Sequence, residues 1–296
     1  MGASTMPTNT LAAATVPTGP VGTVAAANVF VGMVEAPILV RPYLANASRG
    51  GLFAMMTTGM ATVAGTVMAL YATFLEPVLA GAAGHILLAS LMSAPAALVI
   101  ARLMVPWSSE EGTIEVIEID EPYRSNSVME AIATGTTDGV RLVVSVAAML
   151  VVMVALVALV DMALAAATSP FGATVSAQQI FGWLMTPLAL VTGIPWSEAA
   201  QAGQLIGVKT VLNELLAYLQ LADASATALS DRSRLSLTYA LCGFANFGSL
   251  GIMTGGLLAL CPDRRADILS LGPRSLVSGL LATLMTGAVI GAMTPP

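Results

Sequence analysis

Two glutamates lie inside apolar stretches of this chain, Glu35 within NVFVGMVEAP (28–37) and Glu214 within GVKTVLNE (207–214). An ionisable group is costly at membrane depth and, where it occurs there, marks function. Each of the two follows a glycine and a short, broken apolar run. Roughly 30 residues after each comes a helix rich in small residues that carries polar side chains, Thr62 in the first case and Asn246 with Ser249 in the second. A module used twice, each time placing a carboxylate on interrupted backbone, is the pattern of inverted structural repeats built around discontinuous helices. It predicts an all-α membrane protein with two re-entrant hairpins and partly unwound transmembrane helices.

Composition supports a bilayer setting. Of 296 residues 56% are hydrophobic and 9% charged, against about 25% charged in soluble domains, and mean hydropathy is +0.85. The net charge of −6 owes much to residues 108–124, which hold six acids and one arginine and read as a solvated loop. A net-acidic chain argues against nucleic-acid partners. His85 is the single histidine, and Cys242 and Cys261 lack metal-ligand spacing, so neither a His/Cys metal centre nor a His-based catalytic triad is available, and the hydropathy leaves no soluble-enzyme reading. The two thiols are expected to be buried and inert.

Five apolar stretches have the length of about 20 residues that a spanning helix needs: Leu52–Phe74, Ile86–Pro106, Val140–Asp161, Leu235–Leu260 and Leu276–Met293. Ala25–Leu44 and Gln204–Leu221 are apolar but broken by Gly, Pro and a carboxylate, and read as re-entrant hairpins, which survive at membrane depth only where protein or a wet cavity satisfies their backbone. Gln179–Trp196 reads as an interfacial connection with Trp183 and Trp196 at headgroup level, and Ser127–Asp138 as a short surface helix. Asp161 is expected at the membrane surface, and Arg41 as an interfacial or ion-pairing residue at a hairpin end rather than a substrate ligand. The expected organisation is a flexible segment (1–24), the first hairpin and its helices (25–105), an acidic loop and surface helix (106–138), a long scaffold-type span (139–178), and the second hairpin and its helices (179–296).

The segments around the glutamates carry a resemblance. Residues 28–37, VRPYL (40–44) and MATVAGTV (60–67) resemble the first hairpin and broken helix of concentrative nucleoside transporters; GVKTVLNE (207–214) and YALCGFANFGSLG (239–251) look like that family's second hairpin and its broken helix. What the resemblance implies is a sodium- or proton-coupled nucleoside symporter, usually a homotrimer, in a bacterial inner membrane. By similarity Glu214, Asn246 and Ser249 hold the sugar with Phe244 nearby, Glu35 faces the base, and Val67 lines the base pocket. Asn28, Val31, Thr62 and Val63 match the family's sodium ligands, two of them through backbone carbonyls. The chemistry is compatible: a carboxylate accepts charge-assisted hydrogen bonds from vicinal hydroxyls, and sodium takes hard oxygen ligands. No cofactor beyond the coupling ion is implied.

Bland readings compete at each position. Glu214 could pair with Lys209, five residues earlier, as a structural group, and Asn246 and Ser249 could serve as interhelical hydrogen-bond glue. Phe244 and Val67 would be packing residues in most helices. Two departures from the family pattern also matter. The first hairpin of the family usually reads Gly-Gln-Thr-Glu, whereas here Met33 and Val34 replace the Gln and Thr that bond the base, which implies altered base recognition. The chain also begins almost at the first hairpin, so the resemblance implies that N-terminal scaffold helices are missing and that the chain alone transports poorly. A transport-inactive remnant or binding-only membrane protein is the alternative to a symporter, and a channel a third reading.

Overall fold

A computed structural model describes residues 20–107, 127–172, 174–223 and 229–295. The acidic run 108–124, and with it most of the expected acidic-loop unit, lies outside the described residues. All regular structure among the described residues is helical.

The first half runs α1 (Pro20–Ala27), α2 (Glu35–Ile38), α3 (Arg41–Leu44), α4 (Arg49–Ala61), α5 (Gly65–Leu75) and α6 (Ala82–Met104). A single long helix, α7 (Val128–Thr168), follows. The second half runs α8 (Ala177–Val191), α9 (Trp196–Val211), α10 (Glu214–Asp223), α11 (Asp231–Leu241), α12 (Phe247–Leu260) and α13 (Arg265–Met293). One order therefore occurs twice: a pair of short helices joined by a turn that ends at a glutamate, two half-helices separated by extended residues, then a long helix.

Local chemistry sets the helix starts. Ser48 accepts from the Gly51 N–H at 3.0 Å and opens α4; Ser176 and Gln179 form a reciprocal capping box at α8; Ser230 opens α11. Each occupies an N–H that no helical carbonyl can reach. The Glu76 carboxylate accepts from the Gly81 and Ala82 N–H groups, both at 3.1 Å, an anion placed against the positive end of α6.

The breaks are backbone features. After α4, Thr62 (φ −110°, ψ 170°) and Ala64 (φ −67°, ψ 142°) are extended; between α11 and α12, Cys242 (φ −74°, ψ 93°) and Asn246 (φ −145°, ψ 166°) are extended too. The breaks meet at Gly243, where a Cβ would lie 2.7 Å from the Ala61 carbonyl oxygen and 2.7 Å from Thr283 Cγ2. Only a residue without a side chain lets the two interrupted helices cross so closely.

Several expectations change. Four helical runs among the described residues are long and apolar enough to span, at Arg49–Leu75, Ala82–Met104, Val128–Thr168 and Pro262–Met293. The fifth stretch, Leu235–Leu260, does not qualify: like Arg49–Leu75 it is interrupted, but its first part belongs to the short, polar α11, and only Phe247–Leu260 remains as a shorter apolar helix. Ser127–Asp138 is no separate surface helix. Ser127 caps a helix that continues unbroken to Thr168, because 128–168 holds no proline. Asp161 accordingly lies inside α7 rather than at its end. Helix α1 (Pro20–Ala27) already occupies the last residues of the stretch read as unstructured.

The second hairpin is also longer than expected, since helix α9 starts at Trp196 rather than near Gln204. Gln179–Trp196 is mostly helix α8, folded back antiparallel along α9. Glycines bring the pair together: a Cβ on Gly207 would lie 2.6 Å from the Gly182 nitrogen, and one on Gly203 2.6 Å from the Gly182 carbonyl oxygen, the small-residue contact by which helices associate in lipid. Trp183 and Trp196 are exposed on the outside of this pair.

Helix α7 has no buried residue and touches the rest of the chain mainly along α12. Its bare apolar sides are what a helix facing hydrocarbon presents. Arg41, on α3, forms an ion pair with Asp138 on α7, in keeping with its expected role at a hairpin end.

Candidate functional site

The two turns, the second break and α7 enclose one cavity of about 970 Å³, a size suited to a small organic molecule. Glu35 and Glu214 both line it, as do Met33, Val34, Val67, Phe244, Asn246 and Ser249. The eight residues assigned to substrate are thus brought together from four separate stretches of chain. The lining is largely apolar, with Leu142, Val146 and Leu150 of α7 closing one side.

Glu214 is the first residue of α10 and is 5% exposed. Asn213, before it, turns its side-chain oxygen to the Leu216 N–H at 2.9 Å, fixing the helix start that carries the carboxylate. The Tyr71 hydroxyl donates to Glu214 Oε1 at 2.5 Å, and Asn246 Nδ2 donates to Oε2 at 2.8 Å. Asn246 opens α12, its other amide atom accepting from the Ser249 N–H at 2.7 Å. One side chain thus caps a helix and holds a carboxylate.

Lys209 is not the partner of Glu214. It is fully buried, and its ammonium donates to the Ala240 carbonyl and to Thr283 Oγ1, both at 2.9 Å. Ala240 lies in the last turn of α11, where carbonyls lack helical partners and a cation is favoured. Lys209 therefore acts on Glu214 only through space, and the carboxylate takes its hydrogen bonds from neutral donors, Tyr71, Asn246 and its own backbone N–H.

At the first turn, Glu35 is exposed toward the cavity, with its carboxylate folded over Gly32. Met33 and Val34 are buried at 7% and 6%. Met33 packs on Gly59 of α4 and Val34 on Gly256 of α12, so each fills the notch left by a glycine while forming cavity wall.

Asn28, Thr62 and Val63 gather beside the cavity, outside its lining. Asn28 Nδ2 donates to Thr58 Oγ1 at 3.2 Å, and the Thr62 hydroxyl to the Thr58 carbonyl at 2.8 Å. Val63 N–H reaches Ser90 Oγ at 3.4 Å. Asn28 Oδ1 is buried without a hydrogen-bond partner. Val31, by contrast, is 39% exposed, and its side chain takes no part in this cluster.

Two contributors escaped the sequence reading. Tyr71 was legible in principle, standing four residues after Val67 and so on the same helix face. Asp161 lines the cavity while accepting from the Ala177 N–H at 2.7 Å; no sequence signal joins α7 to the start of α8.

Residues 85–291 match the family described as Na+ dependent nucleoside transporter C-terminus. Similar proteins include an uncharacterized transporter of Haemophilus influenzae, 41% identical over 90% of this chain and 64% of that protein. Nucleoside permease NupC of Helicobacter pylori is 37% identical over 90% of this chain and 63% of the permease. This chain thus spans under two thirds of the length of either relative. Among solved structures, a CNTnw double variant in an outward-facing state superposes with a TM-score of 0.83 at 37% identity, over 93% of this chain and 66% of that one. Helices, crossed breaks, cavity and comparisons agree that the chain belongs to the concentrative nucleoside transporter family.

Proposed function

We propose that this chain forms the substrate- and ion-binding core of a sodium-coupled nucleoside symporter, acting in a bacterial inner membrane as a homotrimer. The observation that carries the reading is the Glu214 carboxylate. It stands in the cavity with one protein donor on each oxygen, and a carboxylate has about four acceptor positions. With its own backbone N–H also reaching the group, acceptor capacity still stays open toward the cavity, which suits the hydroxyl donors of a ribose. Asn246 and Ser249 flank the same point, and Phe244 offers an apolar face to the sugar or base.

The cavity wall formed by the first turn and the start of α5 is set for a ring with little hydrogen bonding. Met33, Val34 and Val67 present thioether and alkyl groups, and Glu35 is the single ionisable group of that turn. The base is then read chiefly by shape and by one carboxylate. A residue pair that could bond a base edge, as Gln and Thr would, is replaced here by packing against Gly59 and Gly256.

The residues present fit a sodium ion. Asn28 Oδ1 is a buried oxygen with no partner, and burying such an acceptor unpaired costs about 1–3 kcal/mol. Thr62 Oγ1 lies in the same cluster, and the backbone carbonyls of Val31 and Val63 would complete an all-oxygen set of the kind a hard cation takes. Asn28, Thr62 and Val63 carry no titratable group, which favours sodium over a proton. The bound ion would supply positive charge at the first break, where the half-helices end. The family's printed description, Na+ dependent, points the same way.

Gradient-driven uptake of labelled uridine and adenosine into proteoliposomes tests the proposal. An inward sodium gradient should concentrate nucleoside above its equilibrium level, at the low rate expected of the chain alone, and the Glu214→Gln variant, which keeps the side-chain volume, should abolish that accumulation while oligomerising normally. Undiminished uptake by this variant would overturn the assignment of Glu214, and mere equilibration by the parent protein would indicate a channel.

A further inference from the structure

Glu214 is held from both halves of the molecule. Asn246 comes from the helix break that follows its own hairpin, whereas Tyr71 comes from α5, in the first half. The tyrosine is 1% exposed, and its ring packs on Tyr218 with centroids 5.0 Å apart at 43°. Tyr218 is fixed in turn by its hydroxyl, which donates to the Thr238 carbonyl at 2.8 Å. The phenol is therefore immobilised before it meets the carboxylate.

The other end of α5 is anchored as well. Gly65, its first residue, donates its N–H to the Phe30 carbonyl at 3.0 Å, and Phe30 lies in the turn between α1 and α2. A Cβ on Gly65 would come within 3.0 Å of that oxygen. Helix α5 thus acts as a short strut, tied at its start to the first hairpin and the first break and, further along at Tyr71, to the Glu214 carboxylate.

A carboxylate on a glutamate side chain rotates broadly about its last torsion. Left free, it can satisfy a single hydroxyl in many orientations and gains little from a second. Pinned by a side-chain donor on each oxygen, its plane is set and its open acceptor positions face fixed directions. Two adjacent hydroxyls can then bond at once without the cost of ordering the group on binding.

We propose that Tyr71 is a positioning residue of the sugar subsite, fixing the Glu214 carboxylate so that it reads both ribose hydroxyls and tying that reading to the first hairpin through α5. This rests on the nucleoside assignment above. It gives Tyr71 a task that its burial and ring packing do not need: a phenylalanine would fill the same space against Tyr218 while lacking the donor.

The test is calorimetric binding of uridine and of 2′,3′-dideoxyuridine to the purified protein in sodium buffer, for the parent, Tyr71→Phe, Glu214→Gln and the double variant. The parent should favour the ribonucleoside. Tyr71→Phe should lose about tenfold in uridine affinity, the scale of one charge-assisted hydrogen bond, and leave dideoxyuridine within about twofold, so the preference collapses. The double variant should fall no further than Glu214→Gln alone, the non-additivity of residues acting as one unit. Equal loss for both ligands would mean a merely structural tyrosine and would overturn the proposal. So would an unchanged preference in Tyr71→Phe, with the role of Glu214 left standing. A parent protein that binds both ligands equally would defeat the sugar reading itself, and the proposal with it.

Discussion

Asn246 Nδ2 lies 2.8 Å from Glu214 Oε2, and that single hydrogen bond joins the turn of the second hairpin to the break in the helix that follows it. Both residues start helices, Glu214 at α10 and Asn246 as the cap of α12. The N-terminal ends of two half-helices therefore converge on one carboxyl group. A site of this kind depends on interrupted backbone, because a continuous helix would spend those N–H groups internally.

Base recognition should be restorable at the first turn. Replacing Met33 with Gln and Val34 with Thr together puts two polar groups beside Glu35, in side chains of nearly the same size. Each hydrogen bond regained is worth about 1 kcal/mol, so nucleoside binding measured by calorimetry should tighten by up to roughly thirtyfold. No gain in the double variant would show that the base lies away from this turn. The packing of Met33 and Val34 against Gly59 and Gly256 argues for making both changes conservatively in volume.

The sodium assignment has its own readout, independent of transport. Sodium, compared with choline at equal ionic strength, should raise the melting temperature of the purified protein, since a ligand that binds only the folded state stabilises it by about 2.7 kcal/mol at a hundredfold excess over Kd. Asn28→Leu removes the unpartnered oxygen and should abolish the sodium-dependent increment. An increment of full size in that variant would place the ion elsewhere.

What the sequence disclosed was chemistry on special backbone. Glu35, Glu214, Asn246 and Thr62 stood out because polar groups beside glycine in apolar runs are rare, and the structure gathers the first three around one cavity and sets Thr62 beside it. What it hid was contact between distant apolar surfaces. The α8–α9 pairing depends on Gly182, Gly203 and Gly207, which look like ordinary membrane-helix glycines until they face one another. Tyr71 was hidden likewise, since its donor function exists only once α5 and α10 are packed. The span count failed at Leu235–Leu260 because hydropathy averages across a break that costs only a few residues of backbone. Lys209 was misleading in the opposite sense: five residues from Glu214 in sequence, it turns to α11 and α13 instead.

That lysine is expected to be structural. Lys209→Met keeps the length of the side chain but deprives the Ala240 carbonyl and Thr283 Oγ1 of their donor. Replacing a buried charge by an apolar group is neutral in some proteins; here it leaves a helix-end carbonyl unpaired, at a cost of about 1–3 kcal/mol. The variant should assemble normally and melt several degrees lower. An unchanged melting curve would show that Ala240 finds another donor.

The central claim, that the Glu214 carboxylate takes the sugar of a nucleoside, is tested most directly by an experimental structure of the protein with uridine and sodium bound. The expected result places the ribose hydroxyls within hydrogen-bonding distance of Glu214 and Asn246, with Tyr71 still on Oε1 and the base toward Met33, Val34 and Val67. A nucleoside bound with its sugar away from Glu214, or outside this cavity, would contradict the account.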